Sequence, residues 1–450
     1  MFGAFANVVR IPELRRKLLI TAGLLVIYRV GIFIPCPGTW TPPVEEGEIE
    51  GVMGLVDMFS GGALKMRSIL GLGIMPYISA SIIFQLMAAV VPALQKIAKE
   101  GDVGRKRINQ YTRYATVLLC VVQGAMMANM ALLRGPAPGR PDHDPQLLGF
   151  AHPTVYFMLV VGSLMIGTIF LMWLGEQIDE FGIGSGISLI IMAGILARLP
   201  QAITEIFNNF EPQLGAAEQG KIGPETVVTL LLLFILMVMA VVALTQAHRR
   251  VPIHTARTRS REGFSHRSYV PLRLNMSGVI SIIFAQALMQ VLDMVTRNTP
   301  VLSWPVVGTI FSFLTRGSFI YVTFFAMLII FFSYFYTSVT FNPVEQANNF
   351  KESGTFIPGI RPGKQTAVHL DGIMRKVTLV GAVALVYVAF APQLITGLLE
   401  VSPVVGQFFG GTGLLIVVGV ALDLSQRMDQ YLLMQHYQGF LERGKVRGRR

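Results

Sequence analysis

The chain has 450 residues, 52% hydrophobic and only 14% charged, with a net charge of +11 and a mean hydropathy of +0.57. Soluble domains are about a quarter charged, so this chain has too little polar surface to cover itself in water, and lipid must solvate much of it. The positive charge alone would suit a nucleic-acid binder, but the basic residues lie in loops between apolar runs, where orientation against an anionic membrane face explains them better.

A basic amino terminus (Arg10, Arg15, Arg16, Lys17) leads into an apolar run that reaches Ile34 without a small-residue cleavage site, which predicts a retained helix over 18–34. Further apolar stretches fall at 75–93, 114–133, 154–174, 185–206, 226–247, 277–296, 318–340, 377–399 and 404–425. Most approach the ~20 residues that cross a hydrocarbon core. The segment 55–73 differs, because Asp57, Ser60, Gly61, Gly62, Lys65 and Arg67 interrupt it. It predicts a short re-entrant piece whose backbone must be shielded by protein or water. Cys36 ends the first run and Cys120 lies in the third; two cysteines exclude a disulfide-rich scaffold and a four-cysteine metal site.

With the amino terminus inside, the inner segments hold 28 Lys and Arg and the outer ones 8, and Arg29 within the first span completes the 37. That asymmetry predicts cytoplasmic termini and an even number of spans. Ten spans divide into two sets of five, and an odd number per set places the halves in opposite orientations. The expected fold is therefore an all-α polytopic membrane protein, with ten transmembrane helices in two inverted five-helix halves. Its parts are a cytoplasmic amino-terminal segment 1–17, a first half 18–206 containing the re-entrant piece 55–70, an external connection 207–225, a second half 226–425 with cytoplasmic loops 248–273 and 341–376, and a basic cytoplasmic tail 426–450. The short loops suit a bacterial plasma membrane.

Chemistry-bearing patterns are scarce. His143, His152, His248, His254, His266, His369 and His436 show no metal spacing, and Gly182-Ile183-Gly184-Ser185-Gly186 lacks the spacing of a phosphate-binding loop. No Gly-x-x-x-x-Gly-Lys-Ser/Thr string occurs. The expectation is no cofactor, no metal and no enzymatic activity. A secondary transporter of a small solute remains an alternative; it should carry paired charges inside its spans, and apart from Arg29 the spans have few, with Asp293 and Asp423 towards span ends.

Longer strings are specific. Phe59-Ser60-Gly61-Gly62-Ala63-Leu64 is followed by Gly73-Ile74-Met75-Pro76-Tyr77-Ile78-Ser79-Ala80-Ser81-Ile82-Ile83, then Gln110-Tyr111-Thr112-Arg113-Tyr114 and Trp173-Leu174-Gly175-Glu176-Gln177-Ile178. Beyond them come Pro271-Leu272-Arg273-Leu274-Asn275-Met276, Phe341-Asn342-Pro343, Phe356-Ile357-Pro358-Gly359-Ile360-Arg361-Pro362-Gly363 and Gly410-Gly411-Thr412. Collinear and spread over nearly the whole chain, these resemble the SecY family, the channel subunits of the Sec protein translocon.

The resemblance implies a central pore between the halves that opens across the membrane for secreted chains and sideways into lipid for transmembrane segments. It places a pore ring at Ile74, Ile78, Ile187, Ile191, Ile283 and Ile416. Spacing alone reads these as ordinary helix packing, whereas branched aliphatic side chains in a ring make a compliant, dewetted collar. It makes Phe59, Ser60, Gly61, Gly62, Ala63 and Leu64 a plug, although an external amphipathic loop would carry a similar sequence. A lateral gate would use Gln85, Asn275 and Gln286, with Gln290 nearby; interhelical glue without gating fits each of these equally. Arg249, Arg250, Arg257 and Arg361 would dock a ribosome or the SecA ATPase, a task suited to guanidinium groups, while the positive-inside rule accounts for the loop arginines individually. The implied partners are SecE and SecG, SecA, the ribosome, signal sequences and unfolded polypeptides, and membrane lipid. One departure is Ser281, where the family usually carries proline; its loss is expected to remove a kink.

Overall fold

The computed structural model describes residues 12–37, 57, 59–133, 153–212, 222–255, 268–298, 318–399, 405–406 and 412–443. Helices occur at all ten predicted stretches. In chain order they are α1 (Pro12–Gly31), α2 (Met75–Val90), α3 (Pro92–Lys99), α4 (Asp102–Leu133), α5 (Pro153–Phe181), α6 (Gly186–Leu196), α7 (Leu199–Asn208), α8 (Pro224–Gln246), α9 (Ile280–Asn298), α10 (Phe319–Thr340), α11 (Pro343–Glu352), α12 (Lys364–Leu399) and α13 (Thr412–Arg443). Among the described residues, five helices are long and apolar enough to cross a membrane by themselves, counting α6 with α7 and α10 with α11 as continuous spans.

Proline sets several boundaries. Pro92 excludes Val91 from helical geometry, leaving it extended at φ −87°, ψ 117°. The chain consequently bends by 98° between α2 and α3, which shortens the predicted span 75–93 to a helix ending at Val90. Pro76, Pro224 and Pro343 sit in first turns, where a missing N–H costs nothing. Asn342 caps α11 by accepting from the amides of Val344 and Glu345.

The chain forms two compact units, Met1–Gln201 with Val420–Arg450, and Ala202–Gly419. In the first, α4 packs on α2 and α5, and α1 on α5 and α6. Leu14, Ile183 and Met428 form a core near its helix ends, beside which Lys17 meets Tyr431. In the second, α10 lies between α9 and α12. The sequence did not predict strands, yet this unit also holds a three-stranded antiparallel sheet in the order β2-β1-β3 (β1 His248–Thr255, β2 Ser268–Arg273, β3 Thr355–Phe356). α8 is apolar and mostly uncovered, with Val228, Leu231, Leu232, Ile235, Leu236 and Met239 all exposed. Such a surface is stable only against lipid or a partner helix.

Candidate functional site

The segment 57–73 is bound at many points to the helices of the first unit. Phe59, Ser60, Ala63 and Leu64 are buried. Gly61 and Gly62 adopt φ of 70° and 90°, open to glycine at little steric cost. Asp57 organises the turn: its carbonyl accepts from the Gly62 amide at 2.9 Å and from Ser60 Oγ at 3.2 Å, and its Oδ1 accepts from the Lys65 amide at 2.9 Å.

Surrounding helices hold this turn by its backbone. From α1, Tyr28 Oη donates to the Ser60 carbonyl at 3.1 Å and Arg29 Nη1 to the Gly61 carbonyl at 3.1 Å. From α6, Gly194 approaches so closely that a Cβ there would stand 2.6 Å from the Phe59 carbonyl oxygen. Arg198, in the break between α6 and α7, forms an ion pair with the Asp57 carboxylate. Cys36 and Ile34 tie the following strand of chain, through Cys36 N–H to Arg67 O at 2.8 Å and Ile69 N–H to Ile34 O at 3.1 Å. From α5, Thr168 Oγ1 donates to the Gly73 carbonyl at 3.2 Å, and Gly167 leaves room for Ile69.

Sequence reasoning missed Arg198 and Tyr28. Arg198 had a usable signal, because a charge within an apolar span calls for a partner, and Asp57 was the unassigned acid in the adjoining segment. Tyr28 carried no such signal, since a tyrosine in a span is usual.

The pore-ring candidates fall in both units. Ile74 caps α2 and Ile78 lies one turn on, both buried; Ile191 of α6 is buried and Ile187 half-buried. These four belong to the first unit, while Ile283 of α9, half-buried, and Ile416 of α13, buried, belong to the second.

The gate candidates make local bonds. Exposed Gln85 donates to Ser81 Oγ at 3.1 Å, one turn back on α2. Asn275 donates to the Gly278 carbonyl at 3.2 Å and accepts from Ser277 Oγ at 3.2 Å, closing the turn before α9. Gln286 is buried within α9, and the Gln290 side chain lies outside the described residues. Ser281 stands in the first turn of α9 and receives a hydrogen bond from Ser277 Oγ at 3.2 Å. That position is not mid-helix, so the expected kink has no helix to bend; a proline there would occupy a helix start.

The two basic loops meet in one sheet. β1 of the first loop pairs with β2 of the same loop, and its far end pairs with β3 of the second through His254↔Phe356 and Thr255↔Thr355. Beneath the sheet, Val251, Leu272, Ile357, Leu370 and Met374 form a closed apolar core. Arg249 and Arg250 project from β1, where the Arg250 guanidinium stacks 5.0 Å from the Tyr269 ring centroid. Arg361 is exposed on a turn fixed by Gly359 and Gly363, with φ of 80° and 99°, and by Thr366 Oγ1 donating to the Arg361 carbonyl at 2.9 Å. Arg257 lies outside the described residues. Among the described residues no cluster of His, Cys, Asp or Glu could hold a metal ion.

Comparison with known proteins gives these features a family. The SecY family profile matches residues 68–425. The chain is 39% identical to the protein translocase subunit SecY of Chlamydia muridarum over 99% of both chains, and 40% identical to that of Escherichia coli K12 over 97% of this chain and 96% of the other. The chain belongs to the SecY family. It is accordingly a multi-pass membrane protein. Solved structures agree on the fold: a protein-conducting channel superposes with a TM-score of 0.60 at 17% identity, covering 96% of this chain and 95% of that one. Sec61 from a canine ribosome–channel complex superposes at 0.57 with 16% identity and the same coverage. A SecY protein whose plug domain stabilises the closed state of the translocation channel superposes at 0.57 with 18% identity, again covering 96% and 95% of the two chains.

Proposed function

We propose that this chain is the protein-conducting channel subunit of a Sec-type translocon. It passes unfolded secretory polypeptides across the bacterial plasma membrane and releases transmembrane segments sideways into lipid. Full-length identity near 40% to protein translocase subunits carries this reading. The solute-transporter alternative has no comparable support.

In the idle state the isoleucines at 74, 78, 187, 191, 283 and 416 form a narrow apolar collar, where dewetting resists ions. The segment Phe59–Leu64 is the plug, and its burial and backbone bonds support that role. A signal sequence binding at a gate that includes Gln85, Asn275 and Gln286 shifts the population towards the open state by its greater affinity for that state. A polypeptide then displaces the plug and passes the collar, while sufficiently apolar segments partition into lipid.

The chain has no nucleotide-binding loop, so a partner supplies the work. The platform made by the loops 248–273 and 341–376 is the docking face for the ribosome and the SecA ATPase, through Arg249, Arg250, Arg257 and Arg361. Guanidinium forks suit both RNA phosphates and acidic protein surfaces. SecE and SecG complete the membrane complex, and exposed α8 offers apolar surface for lipid or such subunits. The 28-to-8 distribution of Lys and Arg supports both termini, and the platform with them, on the cytoplasmic side.

The test is translocation of a presecretory protein into proteoliposomes holding the chain, SecE, SecG and SecA with ATP. Protease protection that requires ATP and falls at least about tenfold with Arg361→Glu, the loss of roughly one charge-assisted contact, supports both channel and docking face. Protection unaffected by Arg361→Glu removes that residue from docking. No protection, with inserted chain and active partners, removes the channel reading.

A further inference from the structure

We propose that Asp57 and Arg198 form a charge latch that holds the plug in its seat and sets how readily the idle channel opens. This rests on the channel reading above. The pair joins two parts that differ in kind. Asp57 belongs to the segment that must leave, where it also gathers the turn through Gly62, Ser60 and Lys65. Arg198 belongs to the short break between α6 and α7, a part of the helical frame. The Asp57 side chain is 3% exposed and that of Arg198 15%, so the contact is nearly dry.

A dry ion pair has the properties a latch needs. Its attraction is strong while water is excluded and falls many-fold once water enters, because the effective dielectric rises. Displacing the plug wets both groups, and each recovers its hydration. The pair therefore resists small excursions of the seated plug and opposes the fully displaced state little. Apolar contact behaves differently, since separating apolar surfaces in water keeps its full cost. The neighbouring bonds from Tyr28 and Arg29 to the Ser60 and Gly61 carbonyls act on the same turn from α1, so the latch closes a clasp already formed on the other side.

The same physics predicts a non-additive mutational pattern. A buried pair contributes little net stability relative to a neutral pair of similar shape, but removing one partner strands the other charge in a dry site. Single neutralisations should unseat the plug, and neutralising both should let it seat again.

The experiment measures halide leak from proteoliposomes containing the chain with SecE and SecG, without SecA. Wild type should be tight. Asp57→Asn and Arg198→Gln should each raise the leak by on the order of tenfold or more, and Asp57→Asn/Arg198→Gln should return most of the way to wild type. Arg198→Lys, which keeps the charge and drops the fork, should fall between and serves if the neutral variants fail to insert. Tight single variants, or a double variant at least as leaky as either single, overturn the latch; the second result would mark the pair as ordinary scaffold. SecA-driven translocation by the same wild-type preparation separates the two claims. If it works while the singles stay tight, the latch fails and the channel stands; if wild type cannot translocate, the channel reading itself fails.

Discussion

Replacing Gly194 by alanine should open the idle channel. The added Cβ would stand 2.6 Å from the Phe59 carbonyl oxygen, 3.0 Å from Tyr28 Oη and 3.2 Å from the Gly61 amide nitrogen. Two of these three atoms belong to the backbone of the proposed plug, which cannot rotate away as a side-chain tip could. Either the plug lifts or α6 moves, and lifting also lengthens the Tyr28–Ser60 hydrogen bond. Overpacking of this kind costs about 1–3 kcal/mol in a well-packed interior, borne by the seated state alone. At about 1.4 kcal/mol per factor of ten, the ratio of displaced to seated plug should rise between roughly five- and 150-fold. Single-channel recording of the complex in planar bilayers, without substrate or motor, reads this as open probability. Gly23→Ala in α1 is the control, because a Cβ there meets no atom within 4 Å. Equal open probabilities for Gly194→Ala and Gly23→Ala, with both proteins inserted, would refute the argument that α6 and the plug touch through glycine.

Two further outcomes can be checked with thiols and heat. Burial pushes the Cys36 thiol, in the loop after α1, up to about 11, and the thiolate is the reactive form. In a Cys120→Ala background, maleimide labelling at pH 8 should be slow, with only about a thousandth of Cys36 ionised and its side chain packed among Leu72, Ala128, Val160 and Leu164. Labelling as fast as that of a free thiol in the idle complex would contradict this burial. Ser281→Pro should be tolerated: it forfeits the bond from Ser277, about 1 kcal/mol, and gains a residue preorganised for a helix start. A melting temperature within a few degrees of wild type is expected, whereas a collapse in stability would mean that Ser281 lies deeper in the helix.

What could be read from the chain was what repeats along it. Runs of aliphatic residues near span length announced the long helices among the described residues, because lipid leaves the backbone few alternatives. Local exceptions were harder. The bend at Val91 follows from Pro92 and was available in principle, but an apolar run through 93 concealed it. The sheet was obscured by composition: His248-Arg249-Arg250-Val251-Pro252-Ile253-His254-Thr255 reads as a basic loop, and its strand character comes from pairing with Ser268–Arg273 and, at its far end, with Phe356, about a hundred residues away. Propensity does not register such partners, since what holds the strand is the packing of Val251 over Leu272, Ile357 and Leu370.

The proposed plug shows why charge counting and site finding diverge. Counted for topology, Arg198 is one of eight outer basic residues, and Asp57 is one of several polar residues that weaken a hydrophobic stretch. Each was explained separately by a statistical rule, so the two were not put together. Buried together, they form an ion pair in which each charge offsets the cost of burying the other. A weakly apolar plug could leave its seat cheaply but would also sit there loosely. Backbone bonds from Tyr28 and Arg29, a glycine-to-glycine approach at Gly61 and Gly194, and an ion pair together give the seat a grip that apolar area does not supply. Being polar, that grip weakens as water enters. On the proposed channel reading, contacts of this kind let the segment stay seated at rest and still yield to a passing chain, whereas a larger apolar interface there would make the seal tighter only by making it slower to open.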